Sequence, residues 1–148
     1  MKKINIIILS ILISLSVIFI LFLNPLIKSY VVVDGKLFFV DVARTEEQKA
    51  KGLDIYNTLA QNKGMLFPFN SSDYYPFWMR GMNFPIDIIY INDNQIVDIF
   101  DNLPNPKTED EFPITVKPTA KANYVLEINA GLSRKYNFKK GDIVKIHL

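Results

Sequence analysis

Two acidic residues, Asp87 and Glu127, lie in otherwise apolar stretches of the sequence, where a carboxyl group could do acid or base chemistry. A buried carboxylate without a partner costs several kcal/mol or stays protonated, so each residue requires a cation or hydrogen-bond donors around it. If both meet Arg44 in one cleft, they could be the catalytic pair of a hydrolase-like enzyme. Alternatively, Asp87 forms an ion pair with Arg44 or Arg80, or ties loops together through backbone hydrogen bonds. Glu127 admits the same two interpretations.

Aromatic residues crowd the segment 74–84, around Trp78. Exposed aromatic rings can stack on sugars or accept the side chains of a partner. The alternative is that these rings form the core of a small β domain. Under the binding interpretation, a concave surface takes an anionic or sugar-like ligand or an envelope component, and its expected ligand-binding residues are Arg44, Trp78, Met79, Arg80 and Asp87.

A methionine cluster offers a second kind of chemistry. Met65, Met79 and Met82 could bind Cu(I) beside Trp78, because thioethers are soft ligands. Methionine more often fills irregular gaps in a core, and the single histidine, His147, lies one residue from the end of the chain. With no cysteine and no pair of histidines, the usual zinc ligands are missing as well. We therefore expect no metal site and no cofactor.

Charge and motif content exclude several classes of function. Residues 1–28 contain three of the 17 basic residues and none of the 15 acidic ones, so residues 29–148 have a formal net charge of −1. A domain that grips phosphates needs a basic surplus, and we expect no nucleic-acid partner. The sequence also lacks a nucleophile elbow, a phosphate loop, a dinucleotide fingerprint and a metalloprotease helix.

The N-terminal residues predict a membrane anchor. Residues 4–23 carry no charge, and as a helix they would measure about 30 Å, the thickness of the hydrocarbon core of a bilayer. Lys2 and Lys3 outweigh Lys28, which places the N-terminus in the cytoplasm and residues 29–148 outside it. A cleaved signal peptide is the alternative, although no small-residue cleavage site follows. We therefore divide the chain into an anchor or signal peptide, 1–28, and an extracytoplasmic domain, 29–148.

The pattern of residues 29–148 predicts many short strands. Asp34-Gly35 suits a tight hairpin turn, and Thr45 with Gln48 forms a capping box for a helix from about residue 46 to 51, ended by Gly52. Residues 101–113 contain three prolines and no apolar period, which indicates a long surface loop. Further strands are predicted at 64–69, 77–80, 85–91, 95–100, 124–128 and 143–146. The expected fold is mainly β, a small β-sandwich or barrel with one short helix, preceded by a single transmembrane helix.

The order of several motifs resembles the domain-of-unknown-function 192 family. The matching segments are 42–48, Gly52-Leu53, Asn62, 64–67, 77–80, 85–89, 124–127, Ala130-Gly131 and Gly141-Asp142. This resemblance implies a membrane-anchored or exported, mainly β domain without an assigned activity. Two places depart from the pattern of the family that this sequence resembles. After Trp78-Met79-Arg80 this chain has Gly81-Met82 in place of a pair like Asn-Thr. After Gly52-Leu53 it has Asp54 in place of the typical methionine.

These observations together favour a binding or envelope-associated module held in the membrane by residues 4–23. The alternatives are a hydrolase-like enzyme that uses Asp87 and Glu127 with Arg44, and a Met/Trp copper-binding protein. Asp87 and Glu127 can act in the same reaction only if the fold brings their carboxyl groups into one cleft.

Overall fold

The computed structural model describes residue 14 and residues 29–108 and 111–148. None of these residues belongs to a helix long and apolar enough to cross a membrane. Apart from Ser14, the predicted anchor at 4–23 lies outside the described residues.

Strands dominate the described part of the chain, which confirms the mainly β prediction. A 3-10 helix, Gly52–Ile55, accompanies two short α-helices, α1 (Glu46–Lys51) and α2 (Leu132–Lys135). The nine strands are β1 (Tyr30–Val33), β2 (Lys36–Val42), β3 (Lys63–Asp73), β4 (Phe77–Trp78), β5 (Ile86–Asn92), β6 (Gln95–Leu103), β7 (Thr115–Val116), β8 (Ala122–Asn129) and β9 (Val144–His147).

Seven strands form one curled sheet in the order β6-β5-β8-β3-β2-β1-β9, and β4 pairs with β7 separately. All neighbours in the large sheet are antiparallel except β2 and β3, which are parallel. The sheet curls into a half-barrel, and a bridge between Gln95 and Ile143 joins its two edge strands at one point. The predicted sandwich or barrel is thus realised as a single, partly closed sheet.

The two faces of the sheet bury separate cores. The inner core fills the concave side of the half-barrel, with Phe38, Leu66, Ile89, Leu126 and Ile128 among its members. The outer core covers the convex side of β3, β5 and β8. Its members include Leu53, Met65, Phe67, Ile88, Tyr90 and Val125.

The connection between β2 and β3 covers the outer face and begins with α1. Thr45 Oγ1 accepts a hydrogen bond from the backbone N–H of Gln48 at 3.2 Å, and Gln48 Oε1 accepts one from the backbone N–H of Thr45 at 3.0 Å, which confirms the capping box. Gly52 ends α1 with a φ of 55°, as predicted. The 3-10 helix then places Leu53 in the outer core.

Two strands, β3 and β6, continue three or more residues beyond their predicted C-terminal ends. β3 continues to Asp73, which pairs with Ala122 after an irregularity in the register. β6 continues to Leu103, opposite Ile86, so the predicted loop begins at Pro104, three residues beyond Asp101. Both extensions are polar, and long-range pairing with a neighbouring strand overrides their weak local preference for a strand.

Candidate ligand-binding site

Glu127 lies at the centre of the outer face. Its strand, β8, runs between β3 and β5, and Glu127 pairs with Met65 on one side and Ile88 on the other. Because residues that pair across a sheet share a face, the carboxyl group points into the outer core below the 3-10 helix. The residue is 4% exposed.

Burial raises the pKa of the Glu127 carboxyl group from its ordinary 4.5 to about 8. The backbone N–H of Leu53 donates a hydrogen bond that opposes this shift in pKa, and the negative charge of Asp54 adds to it. At neutral pH the carboxyl group is therefore mostly protonated and can both donate and accept a hydrogen bond. Its Oε2 atom is buried and has no hydrogen-bond partner among the described residues.

Gly52 lies beside this carboxyl group, in a backbone conformation that favours glycine. A Cβ atom at this position would lie 3.5 Å from Glu127 Oε2 and 3.6 Å from Phe67 Cζ. The positive φ of Gly52 is also one that residues with side chains rarely adopt. The end of α1 is therefore fitted to the position of Glu127.

A cavity of about 240 Å³ lies beside Glu127, between α1 and the segment around β4. Aromatic rings form much of its wall: Phe69 and Tyr75 stack with centroids 3.7 Å apart, and Phe77 lies nearby with its ring edge towards Phe67. Trp78 also lines the cavity and is 49% exposed. The cavity thus combines an unpaired buried carboxyl oxygen with aromatic faces that a ligand can reach.

Cations surround the mouth of this cavity. Lys49 Nζ lies 4.6 Å from the centroid of the Phe69 ring and 3.0 Å from Glu46 Oε1. Lys51 pairs with Glu47 on the exposed face of α1. Arg80 lines the cavity too, and its guanidinium group forms no ion pair or hydrogen bond with another described residue. Arg80 is therefore the cation that a ligand could engage without breaking an existing pair.

Comparison with protein families identifies the group to which this fold belongs. The family model DUF192, described as Uncharacterized ACR, matches residues 30–146. The chain belongs to the DUF192 family. The match confirms the resemblance seen in the sequence and covers nearly all of the described residues.

Two solved structures share the fold of this DUF192 protein. A protein of unknown function from Novosphingobium aromaticivorans is 35% identical and has a TM-score of 0.68, with 78% of this chain and 83% of that chain covered. A candidate transcription regulator from Sinorhizobium meliloti is 26% identical and also has a TM-score of 0.68, with 80% and 91% covered. A search of curated proteins gives no significant match.

The two departures from the DUF192 pattern meet in space. A Cβ atom on Gly81 would lie 3.3 Å from Asp54 Oδ2, so the residue after Gly52-Leu53 packs against the residue after Trp78-Met79-Arg80. The small residue at position 81 leaves room for the carboxylate of Asp54. Asp54 and Gly81 are therefore neighbours at the edge of the site, and the negative charge of Asp54 contributes to the raised pKa of Glu127.

The structure brings together only some of the predicted ligand-binding residues. Trp78 and Arg80 line the cavity beside Glu127. Met79 is 1% exposed and packs in the outer core instead. Arg44 is exposed and lines a different cavity, together with Lys63, where β2 ends and β3 begins. In the described part of the chain Arg44 and Trp78 thus line separate cavities.

Asp87 and Glu127 lie on opposite faces of the sheet. Asp87 pairs with Ile128, the neighbour of Glu127 on β8, so its side chain points to the inner side of the half-barrel. The hypothesis of a catalytic pair of Asp87 and Glu127 with Arg44 is therefore wrong, because the two carboxyl groups lie on opposite faces of the sheet and Arg44 lines a different cavity from Glu127.

Asp87 instead ties three segments together, as the structural interpretation predicted. Its Oδ1 accepts hydrogen bonds from the backbone N–H groups of Asn102 at 2.7 Å and Gly131 at 2.8 Å. Its Oδ2 accepts one from the backbone N–H of Ser133 at 2.7 Å. The carboxylate is fully buried, and these donors are what stabilise it there. The same contacts make Asp87 unsuited to binding a ligand.

The methionines of the predicted copper alternative are buried. Met65, Met79 and Met82 all belong to the outer core, where they pack among aliphatic and aromatic side chains. Trp78, in contrast, is half exposed. This placement matches the core-filling role of methionine.

Several residues of the site carry no recognisable signal in the sequence. Gly52 was predicted only as a helix end, Tyr75 only as one of the crowded aromatic residues of 74–84, and Phe69 and Lys49 were not singled out. Their contribution depends on the crossover from β2 to β3, which lays α1 over β8. The readable signals were a charged residue, Glu127, within an apolar strand, and the aromatic segment that contains Trp78 and Arg80.

Proposed function

We propose that this DUF192 protein is a binding module for a small sugar-like ligand, held at the membrane by residues 4–23 with its β domain outside the cytoplasm. The observation that carries the binding proposal is the unpaired Oε2 atom of Glu127 at the wall of an aromatic cavity. Native proteins pair nearly all buried polar atoms, so a ligand that completes this hydrogen bond removes a local cost.

The chemistry of the cavity suits a hydroxylated ring. The half-exposed face of Trp78 can stack on the apolar face of a sugar, while the protonated carboxyl group of Glu127 exchanges hydrogen bonds with hydroxyl groups. Arg80 offers unpaired donors to a hydroxyl or carboxylate group of the same ligand. The volume of about 240 Å³ limits the enclosed part of the ligand to one small ring.

Calorimetric titration of the full chain in detergent tests this proposal. The probes are glucose, N-acetylglucosamine and glucuronic acid, which present a neutral ring, an amide-bearing ring and an anionic ring to the same cavity. We expect Trp78→Ala to weaken binding of the best probe about fivefold, because an aromatic contact contributes about 1 kcal/mol. Tyr74→Ala is the matched control, since Tyr74 is an exposed aromatic residue that lines neither this cavity nor the neighbouring one that shares Trp78 and Arg80. Binding that is absent for all three sugars, or unaffected by Trp78→Ala, would contradict the proposal.

A further inference from the structure

The outer layer covers only part of the convex face of the sheet. Over β9, β1 and β2 the described residues leave that face open. One cross-strand row runs through His147, Tyr30, Phe39 and Lys63, and the next runs through Lys145, Val32 and Leu37. Phe39 is 38% exposed and Leu37 is 42% exposed. We call these seven residues the open face. It has apolar and aromatic side chains in the middle and basic or titratable ones at both ends.

Two cations without partners lie at one edge of the open face. Arg44 and Lys63 line a cavity of about 350 Å³ together with Ser29 and Phe39. Neither side chain forms an ion pair with another described residue. The one acidic residue of this cavity, Asp41, accepts a hydrogen bond from the hydroxyl group of Tyr56 at 2.6 Å. The cavity therefore offers two free cations beside an exposed aromatic ring.

The chain reaches this cavity directly from its apolar N-terminal stretch. Ser29 lines the cavity, and only residues 24–28 separate it from the end of the uncharged segment 4–23. Even fully extended, a connection of this length spans at most about 20 Å. If residues 4–23 cross the bilayer, Arg44, Lys63 and the open face must lie close to its surface.

We propose that the open face rests on the surface of a lipid bilayer, with Tyr30, Leu37 and Phe39 at the level of the headgroups and Arg44 and Lys63 against the phosphates of anionic lipids. Aromatic rings and basic side chains are the groups that favour this interfacial region. Docking would cover the apolar part of the sheet that no described residue covers. The inference rests on the membrane anchor of the proposed function and goes beyond it, because an anchor alone leaves the domain free to turn.

The experiment uses the absence of native cysteines, which makes an introduced cysteine the only labelling site. The full chain is labelled with a fluorophore at Leu37→Cys and placed in nanodiscs of phosphatidylcholine and phosphatidylglycerol that carry nitroxide headgroups. Lys121→Cys provides the matched control, because Lys121 is exposed and lies outside the open face. We expect the lipid nitroxides to quench the label at position 37 and not the label at 121. Arg44→Gln and Lys63→Gln should each lower the ratio of docked to undocked protein about fivefold.

Each outcome bears on a different claim. Equal quenching at positions 37 and 121, or quenching that is insensitive to both glutamine variants, overturns the docking. Failure of the full chain to enter nanodiscs overturns the anchor as well. Inorganic phosphate, added in detergent without lipid, should leave the emission of the label at position 37 unchanged. A response abolished by Arg44→Gln would identify a site for soluble phosphate and overturn docking on a bilayer.

Discussion

The buried carboxyl group of Glu127 makes the stability of the domain depend on pH. Its pKa of about 8 in the folded state exceeds the ordinary 4.5, so folding takes up a proton between these values. The favourable contribution of the protonated group to the free energy of unfolding is complete below about pH 4.5. It is lost as the pH rises through about 8. Glu127→Gln removes the titration and keeps the shape. We expect the free energy of unfolding of this variant, relative to the wild type, to increase by up to about 1.4 kcal/mol for each pH unit across that range.

Thermal unfolding of the full chain in detergent at a series of pH values measures this difference. Asp98→Asn is the control, because its stability relative to the wild type should change with pH in the opposite direction. Burial opposes ionisation of Asp98, but its bonds to Thr119, Lys140 and Ile99 hold the pKa of its carboxyl group below the ordinary value. The contribution of Asp98 is therefore present above about pH 4 and lost as the pH falls. A constant difference between Glu127→Gln and the wild type at all pH values would contradict the raised pKa.

At the scale of elements, the end of α1 controls the cavity. Gly52→Ala should destabilise the domain by about 1–3 kcal/mol, because alanine at this positive φ is strained. Its methyl group would also lie 3.5 Å from Glu127 Oε2, which narrows the cavity. We expect sugar binding, measured by calorimetry, to weaken in this variant. Gly35→Ala shares the positive φ but meets no atom within 4 Å, so it should cost stability without affecting binding. Equal binding by both glycine variants would show that Gly52 has no role in the site.

The local elements could be predicted from the sequence, but the register between strands could not. The Asp34-Gly35 turn, the capped helix α1 and the strand that contains Asp87 follow from turn chemistry, capping and alternation. Which face each acid occupies depends on the pairing of Asp87 with Ile128. A shift of one residue would have placed Asp87 and Glu127 side by side, and nothing local in either strand specifies that choice.

At the scale of the whole molecule, the charge asymmetry around residues 4–23 predicts the topology. We expect protease added to cells with an intact cytoplasmic membrane and a permeabilised outer envelope to remove a C-terminal epitope tag. A cytoplasmic marker protein should survive the same treatment. Mass spectrometry of the purified chain then separates the anchor from a signal peptide, because an uncleaved chain retains its full 17.1 kDa. A tag that is digested only after the cytoplasmic membrane is broken would overturn the predicted orientation.

The composition predicted a strand-rich domain but not the shape of its sheet. Short apolar strands fit a sandwich or a barrel equally well, and the choice depends on contacts between distant residues such as Gln95 and Ile143. The same limit applies to the open face. Alternation places Leu37 and Phe39 on one side of β2, but only the assembled sheet reveals that both remain partly exposed there.

The one parallel pair of strands has a consequence for how DUF192 proteins could diversify. A parallel connection must pass over a face of the sheet, so the β2–β3 crossover that carries α1 is demanded by strand order as well as by the cavity. Side chains along this crossover could therefore be substituted, and new ligands bound, without a change in the strand order of the sheet below it. A deletion in the crossover would prevent β2 and β3 from pairing in parallel. We therefore expect the crossover to tolerate substitutions better than deletions.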